Sequence, residues 1–305
     1  MSKSSVSVII PTYRRNPELL RLIRSIKASM YNSSFVEIIV VDNAQDNELG
    51  RVLHALDPSI MLVTPESNMY CNGGRRYGTS RASGDYIYYV DDDNVLDQNS
   101  IELLSRALDE DASLGIAAPV MCYLAQPDVI WCAGGRITGL GLAVYQGTGI
   151  SLRNLKNSDL EIEPDFFPNA FMVRRRIMED VEFDNKNFPH NWSEPDFCLR
   201  VKGWGYHLGT VPPAIIWHDI DYGGGTTRLG IDKTFDQAKS RITFRQKHMN
   251  RPTTWFTFWG IVFPVSTVLY IRKILVQTEL PRLALLKAYF SGTWEGFRGK
   301  PGVER

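Results

Sequence analysis

Along the first hundred residues, short dense apolar runs alternate with segments in which apolar side chains recur every three or four places. Residues 6–10 read Val-Ser-Val-Ile-Ile and end in Pro11-Thr12-Tyr13-Arg14-Arg15. A run this short, closed by turn residues, predicts a strand buried in an α/β sheet. Asn16 then offers an N-cap and Pro17 suits a first helical turn, while Leu19, Leu20, Leu22, Ile23 and Ile26 carry helical spacing to about Met30. Residues 36–41 repeat the pattern as a second strand ending in Asp42-Asn43, a helix follows over 48–56, and 60–63 is a third, shorter strand. Such alternation predicts a doubly wound sheet, with ligands bound beyond the carboxyl ends of the strands. Pro11, Thr12, Asp42 and the acidic group Asp91, Asp92 and Asp93 all fall at such ends.

The second half alternates less regularly. Short strand-like runs with glycine turns occupy 115–121, 129–137 and 142–146, and another strand is expected over 206–211. Past Asp232 the pattern turns helical: 233–249 is polar and basic, and 253–271 runs without a charge between Arg251 and Arg272-Lys273. That length approaches the roughly 20 residues needed to cross a bilayer. Thr253, Thr257, Gly260, Pro264 and Thr267 form a small, mildly polar stripe on such a helix. The stripe is expected to face another helix in a span, or water while the aromatic side lies in the headgroup layer. A buried core helix is the third reading. Arg272, Lys273, Arg282, Lys287, Arg298 and Lys300, against Glu279 and Glu295, suit a cytoplasmic anionic surface.

With 305 residues, 44% hydrophobic and 22% charged, the chain can bury a sizeable core, as one large domain or two lobes sharing a sheet. Its formal net charge is zero, so no global field points to nucleic acid. The four cysteines, Cys71, Cys122, Cys132 and Cys198, show no metal-ligand or redox spacing and read as free thiols in a reducing compartment. The N-terminus lacks the pattern of a signal peptide, so the catalytic part is expected to face the cytoplasm.

The chemistry concentrates where the aromatic run Tyr86-Ile87-Tyr88-Tyr89-Val90 meets Asp91-Asp92-Asp93. Three consecutive carboxylates demand a positive partner, and closely spaced Asp oxygens suit Mg²⁺ or Mn²⁺ shared with a substrate phosphate. Strand alternation puts Asp91 and Asp93 on one side and Asp92 on the other. A solvated acidic loop capping a helix from about Gln98 is the competing reading. Asp42 suits either a base or ribose contact or a turn. Between them, 68–84 is polar, with Asn68, Gly73, Gly74, Arg75, Arg76 and Arg81. Glycines let backbone amides approach a ligand and arginines suit a diphosphate, and a loop followed by a solvated basic helix is equally compatible.

Val8-Ile9-Ile10-Pro11-Thr12-Tyr13, Val41-Asp42-Asn43, the segment before Ala82-Ser83-Gly84-Asp85-Tyr86, and the Asp-x-Asp of Asp91 and Asp93 occur in an order that resembles the family 2 glycosyltransferases, of rhamnosyl- and galactofuranosyltransferase type. The resemblance implies a GT-A fold, a Rossmann-like mixed sheet flanked by helices. It implies a catalytic domain over 1–230, with a nucleotide-binding half (1–110) and an acceptor half (111–230), and a helical, membrane-associating tail over 231–305. Pro11, Thr12, Tyr13, Arg15, Asp42, Asn68, Gly73, Gly74, Arg75 and Asp92 would line the nucleotide-sugar donor. Asp91, Asp93 and His218 would hold the metal, Mg²⁺ or Mn²⁺. Residues 167–175 look like the strand beneath the acceptor site, and Trp192-Ser193-Glu194-Pro195-Asp196 is similar to the segment that supplies the catalytic base. The usual Glu-Asp pair stands here as Ser193-Glu194, so Glu194 would be the base and Asp196 would orient the site. By spacing alone both acids also suit a helix dipole, and His218 also suits a structural role beside Trp217. Gly223-Gly224-Gly225 would close over the donor.

The implied function is inverting transfer of a sugar from a nucleotide diphosphate to a hydroxyl of a membrane-associated glycan or lipid-linked acceptor. The protein would sit at the cell membrane with its catalytic domain in the cytoplasm. Two alternatives are a sugar nucleotidyltransferase, which would carry a glycine-rich phosphate loop directly after the first strand, and a non-catalytic carbohydrate-binding relic of the fold.

Overall fold

The computed structural model describes residues 4–29, 36–156, 163–220, 230–249, 256–276 and 280–299. The expected glycine segment Gly223-Gly224-Gly225, with Thr253, Glu279 and Lys300, lies outside them. Strands β1 (Val6–Thr12), β2 (Val36–Asp42), β3 (Met61–Val63) and β4 (Tyr86–Tyr89) alternate with helices α1 (Asn16–Lys27), α2 (Leu49–Leu56) and α3 (Tyr70–Thr79). These four strands pair in parallel, in the order β3-β2-β1-β4.

Beyond β4 the sheet becomes mixed. The chain continues through β5 (Asn94–Leu96), α4 (Ser100–Glu110), β6 (Leu114–Tyr123) and β7 (Gln126–Cys132), a small hairpin of β8 (Gly135–Ile137) and β9 (Ala143–Tyr145), then β10 (Phe171–Arg174), α5 (Ser193–Gly203) and β11 (His207–His218). β10 enters antiparallel between β4 and β6, and β11 lies parallel to β6 and antiparallel to β5. Strand alternation sorts the side chains into two cores. Val8 and Ile10 face Leu19, Leu22 and Ile23 of α1 with Leu104 of α4, whereas Ile9 faces Tyr89, Phe171 and Phe197 on the opposite side. Of the four cysteines, all free, three are buried.

The segment expected to be a glycine-rich ligand loop is largely helix α3, and its glycines serve packing. A Cβ on Gly78 would stand 2.5 Å from Ile9 Cγ2, and one on Gly74 would stand 3.1 Å from Pro11 Cβ. Helix α3 therefore seats directly on β1, which carries Arg75 beneath the ends of the strands.

After β11 the chain folds into α6 (Ile231–His248), α7 (Phe263–Val276), entered through a π-turn at Phe258–Val262, and α8 (Arg282–Arg298). Helix α6 is fastened to the sheet domain through Asp196. This carboxylate is fully buried and meets Arg200 Nη2 at 2.8 Å, Lys247 Nζ at 2.9 Å and His248 Nε2 at 2.8 Å. Burial alone would raise its pKa, but His248, Arg200 and Lys247 hold it down to about 2.

Two stability changes follow from this packing. Gly78→Val should cost about 1–3 kcal/mol in urea unfolding, because the added atoms meet the side chains of Ile9 and Val41. Asp196→Asn should cost about 3 kcal/mol at neutral pH by leaving cations buried without their counter-charge. The folded pKa of Asp196 is depressed, so its contribution is complete above the unfolded value of roughly 4 and disappears as pH falls through about 2. The difference in unfolding free energy between parent and Asp196→Asn should therefore narrow across that window.

Candidate active site

The site forms where β1, β4 and β11 end and α5 begins. Strand β4 stops at Tyr89 and the chain turns at Asp92-Asp93, so strand alternation no longer governs the three carboxylates. The expected pairing of Asp91 with Asp93 is corrected accordingly. Asp92 and Asp93 share Arg15, whose Nη1 lies 3.2 Å from Asp92 Oδ1 and 2.6 Å from Asp93 Oδ2. Thr12 Oγ1, at the end of β1, donates to Asp92 Oδ2 at 2.7 Å. Asp91 takes a different partner and meets Arg75 Nη2 at 2.8 Å.

Arg75 is the hub. Its side chain is fully buried, and its Nη1 also meets Glu194 Oε1 at 2.7 Å while Nη2 donates to the Asn169 carbonyl at 3.2 Å. The rings of Phe171 and Phe183 lie 5.9 and 5.8 Å from its guanidinium carbon. Burial would discharge such a group, yet the facing acids Asp91 and Glu194 raise its pKa well above the ordinary value. Arg75, expected at a diphosphate, instead joins the carboxylate after β4 to the carboxylate at the start of α5. The second oxygen of Glu194 accepts from Ser193 Oγ at 2.7 Å, so both of its oxygens are held.

His218 ends β11, opposite Asn94 of β5. Its Nε2 lies 3.2 Å from Asp93 Oδ1, and its ring packs against Trp131 with centroids 4.6 Å apart. The expected trio of Asp91, Asp93 and His218 is thus drawn together only in part. Among the described residues no three His, Cys, Asp or Glu side chains converge as a ready metal cage. Asp93 and His218 do form an adjacent carboxylate–imidazole pair, and this donor set suits a hard divalent cation that takes its remaining ligands from diphosphate and water.

The acidic turn carries more negative charge than its two arginines offset. Burial raises the Asp91 carboxyl and pushes Asp92 up to about 7, and the Asp93 charge adds to both shifts. Burial works in the same direction on Asp93, but His218 and Arg15 bring its pKa below the ordinary value.

The remaining candidates divide between the site and its frame. Tyr13 is 47% exposed at the mouth beside Arg14. Asp42 is buried, and its two oxygens accept from Ala44 N at 2.9 Å and Asp46 N at 2.6 Å, which closes the turn after β2. Asn68 Oδ1 accepts from Tyr70 N at 2.8 Å at the start of α3, and Gly73 packs on Met69. Asp196 points from α5 to α6 and is not brought to the carboxylate cluster.

Two buried asparagines of the site had received no role. Asn94 Nδ2 donates to Asn169 Oδ1 at 2.6 Å and to the Asp91 carbonyl at 2.9 Å, fixing the acidic turn. Asn169 has φ +67°, and Arg14, Gln45, Tyr70 and Trp192 also hold positive φ around the same site. Backbone in this region costs on the order of 1–3 kcal/mol per residue and persists where surrounding contacts impose it. The one signal in the sequence was an Asn before a strand, the residue type that best tolerates that conformation.

Residues 7–182 match the model of the family described as Glycosyl transferase family 2. The uncharacterized glycosyltransferase YwdF of Bacillus subtilis is 23% identical over 245 residues, covering 80% of this chain and 84% of that protein. The UDP-Glc:alpha-D-GlcNAc-diphosphoundecaprenol beta-1,3-glucosyltransferase WfgD of Escherichia coli is 29% identical over 98 residues, 32% of this chain and 38% of its own length. Among solved structures, the mannosyltransferase PcManGT of Pyrobaculum calidifontis, in complex with GDP-Man and Mn²⁺, superposes with a TM-score of 0.59 at 14% identity, covering 97% of this chain and 85% of that one. With a GT-A fold and more than half of its length inside the family model, the chain belongs to glycosyltransferase family 2 and is an enzyme of that type.

Proposed function

We propose that the protein transfers a sugar from a nucleotide-diphosphate donor, with inversion at the anomeric carbon, to a hydroxyl of a lipid-linked glycan at the cytoplasmic side of a membrane. The reading rests on the Arg75 clamp. One buried guanidinium holds Asp91, in the turn with the donor candidate Asp92 and the metal candidate Asp93, and Glu194, the base candidate, at 2.8 and 2.7 Å. Groups suited to the two ends of a displacement are thereby fixed in one frame.

The nucleoside would lie over the ends of β1 and β2, where Tyr13 stands exposed after the buried Pro11 and Thr12 and Asp42 fixes the turn beneath it. Arg15 would swing between the acidic turn and the diphosphate, since its side chain is half-exposed while its carboxylate partners are buried. Asp93 and His218 would hold Mg²⁺ or Mn²⁺, with Asp91 next to them in the turn. A cation bound there would supply Lewis-acid stabilisation of the departing nucleoside diphosphate. Glu194 would accept the proton of the attacking hydroxyl, held at the right place by Arg75 and Ser193. Support for the acceptor class comes from the relative named for diphosphoundecaprenol and from the helical tail, which would reach the membrane as a surface contact or as a single span.

Thermal unfolding with a panel of nucleoside diphosphates and nucleotide sugars tests the donor site. One nucleotide should raise the midpoint with Mn²⁺ and not with EDTA, with binding at a hundredfold excess over Kd adding about 2.7 kcal/mol. Stabilisation by none of them would overturn the reading, and pyrophosphate release from a nucleoside triphosphate would favour a nucleotidyltransferase instead. Glu194→Gln should keep the nucleotide-dependent midpoint while lowering transfer by about 10²–10⁴-fold. Transfer at the parent rate would remove Glu194 from the role of base.

A further inference from the structure

Helix α7 is built inside out. Its inward positions Phe263, Ser266, Thr267, Tyr270 and Ile274 recur at three and four places and include every hydroxyl of the helix. Most of its outward positions are aliphatic: Val265, Val268, Leu269, Leu275 and Val276 are 50–71% exposed, with Arg272 and Lys273 exposed in the turn between them. A water-facing helix shows the reverse polarity. Helix α8 continues the apolar surface with Leu283, Phe290, Trp294 and Phe297, of which Leu283 is 80% exposed. Arg272 stands within this surface and Lys273, Lys287 and Arg298 border it, with Glu295 as the one acid among the residues of α7 and α8. An apolar face of this extent with a cationic border fits a lipid surface.

Residues Phe258–Val276 form the one helical stretch among the described residues that is long and apolar enough to cross a bilayer. Its middle, however, is tied to a charged helix. Arg241 of α6 is 9% exposed, and its Nη1 and Nη2 donate to Ser266 Oγ and Thr267 Oγ1, each at 3.2 Å, with Tyr289 of α8 as a further acceptor. One turn on, Arg245 lies over the rings of Phe258 and Trp192, at 4.2 and 4.7 Å. Helix α8 meets α6 backbone to backbone at Gly292, where no Cβ would fit. Helix α6 in turn is bound through Lys247 and His248 to Asp196 of the sheet domain. A span placed along α7 would draw Arg241, Lys239 and Asp236 into the hydrocarbon with it, at a prohibitive cost for an attached charged body.

We infer that α7 and α8 lie in the plane of an anionic bilayer surface. Their outward apolar faces sit at the headgroup boundary, their basic rim meets lipid phosphates, and neither helix crosses the membrane. This deepens the proposed function by resting on its membrane reading and choosing between surface contact and span.

The full-length protein would be mixed with sealed vesicles of phosphatidylglycerol and phosphatidylethanolamine, and with vesicles of phosphatidylcholine alone, and binding read by sedimentation. Binding should favour the anionic vesicles and weaken with salt. Leu269→Glu and Leu283→Glu should each lower it by about tenfold or more, since each replaces a buried leucine in the bound state. A tag following Arg305 should remain open to protease added outside the vesicles. Parent-like binding by both variants, no preference for anionic vesicles, or protection of the tag would each overturn the in-plane assignment. The nucleotide-dependent thermal midpoint of the same samples separates the two readings and checks that each variant is folded. Vesicle failure with that midpoint intact sinks the surface alone, while vesicle binding without it sinks the catalytic reading alone.

Discussion

A guanidinium with no exposure to water holds this site together. Burying Arg75 is unfavourable unless its charge is matched, and Asp91 and Glu194 match it from two parts of the chain that have no other reason to meet. The rings of Phe171 and Phe183 enclose it, which removes competing water and fixes the planar fork. The same residue bonds the carbonyl of Asn169, whose side chain accepts from Asn94 in the acidic turn. Loss of Arg75 would therefore disconnect α3, the turn after β4, the segment before β10 and the start of α5 together.

The electrostatics of the site follow from that arrangement. Asp91, Asp92, Asp93 and Glu194 are faced by Arg15 and Arg75, which leaves the cluster two positive charges short. Burial answers part of the deficit by raising Asp91 and by bringing Asp92 to about 7. A divalent cation beside Asp93 and His218 would answer it fully, which gives a physical reason for hard-metal chemistry independent of the family. Arg15 differs from Arg75 in being half-exposed, so the fixed charge lies beside Glu194 and the more accessible one beside Asp92 and Asp93.

The parallel half of the sheet was legible because strands buried on both faces read as short apolar runs, and because Pro11, Asp42 and Asp91 mark where they stop. The arrangement of the acidic turn was not, since alternation holds only inside a strand and β4 ends before the carboxylates begin. The glycines of α3 carry a related ambiguity. Gly73, Gly74 and Gly78 permit close approach, and composition alone does not say whether a ligand or, as at Ile9, a strand makes it. The Arg75 clamp joins residues 16 and 119 positions apart, a separation that no local pattern spans. His218 stood out beside a strand, but its neighbour Asp93 is set by the pairing of β11 with β5.

Helix α5 links the chemistry to the tail. Glu194 turns toward Arg75, and Asp196, two positions on, turns toward Lys247 and His248 of α6, so one helical turn fastens both. Helix α6 then carries Arg241 and Arg245, which hold α7 and the π-turn before it. The small-residue stripe suggested by sequence resolves into two roles: Thr267 faces Arg241, while Gly260 and Pro264 lie exposed. What organises α7 is the charged side chain waiting on α6, since a buried guanidinium selects hydroxyls and leaves aliphatic residues outside. The tail and the base candidate are thus connected through α5, by the seating of α6 on Asp196. A protein fixed to lipid by α7 and α8 would hold Glu194 at a set height above the surface, which favours acceptors whose reactive hydroxyl stands at that height.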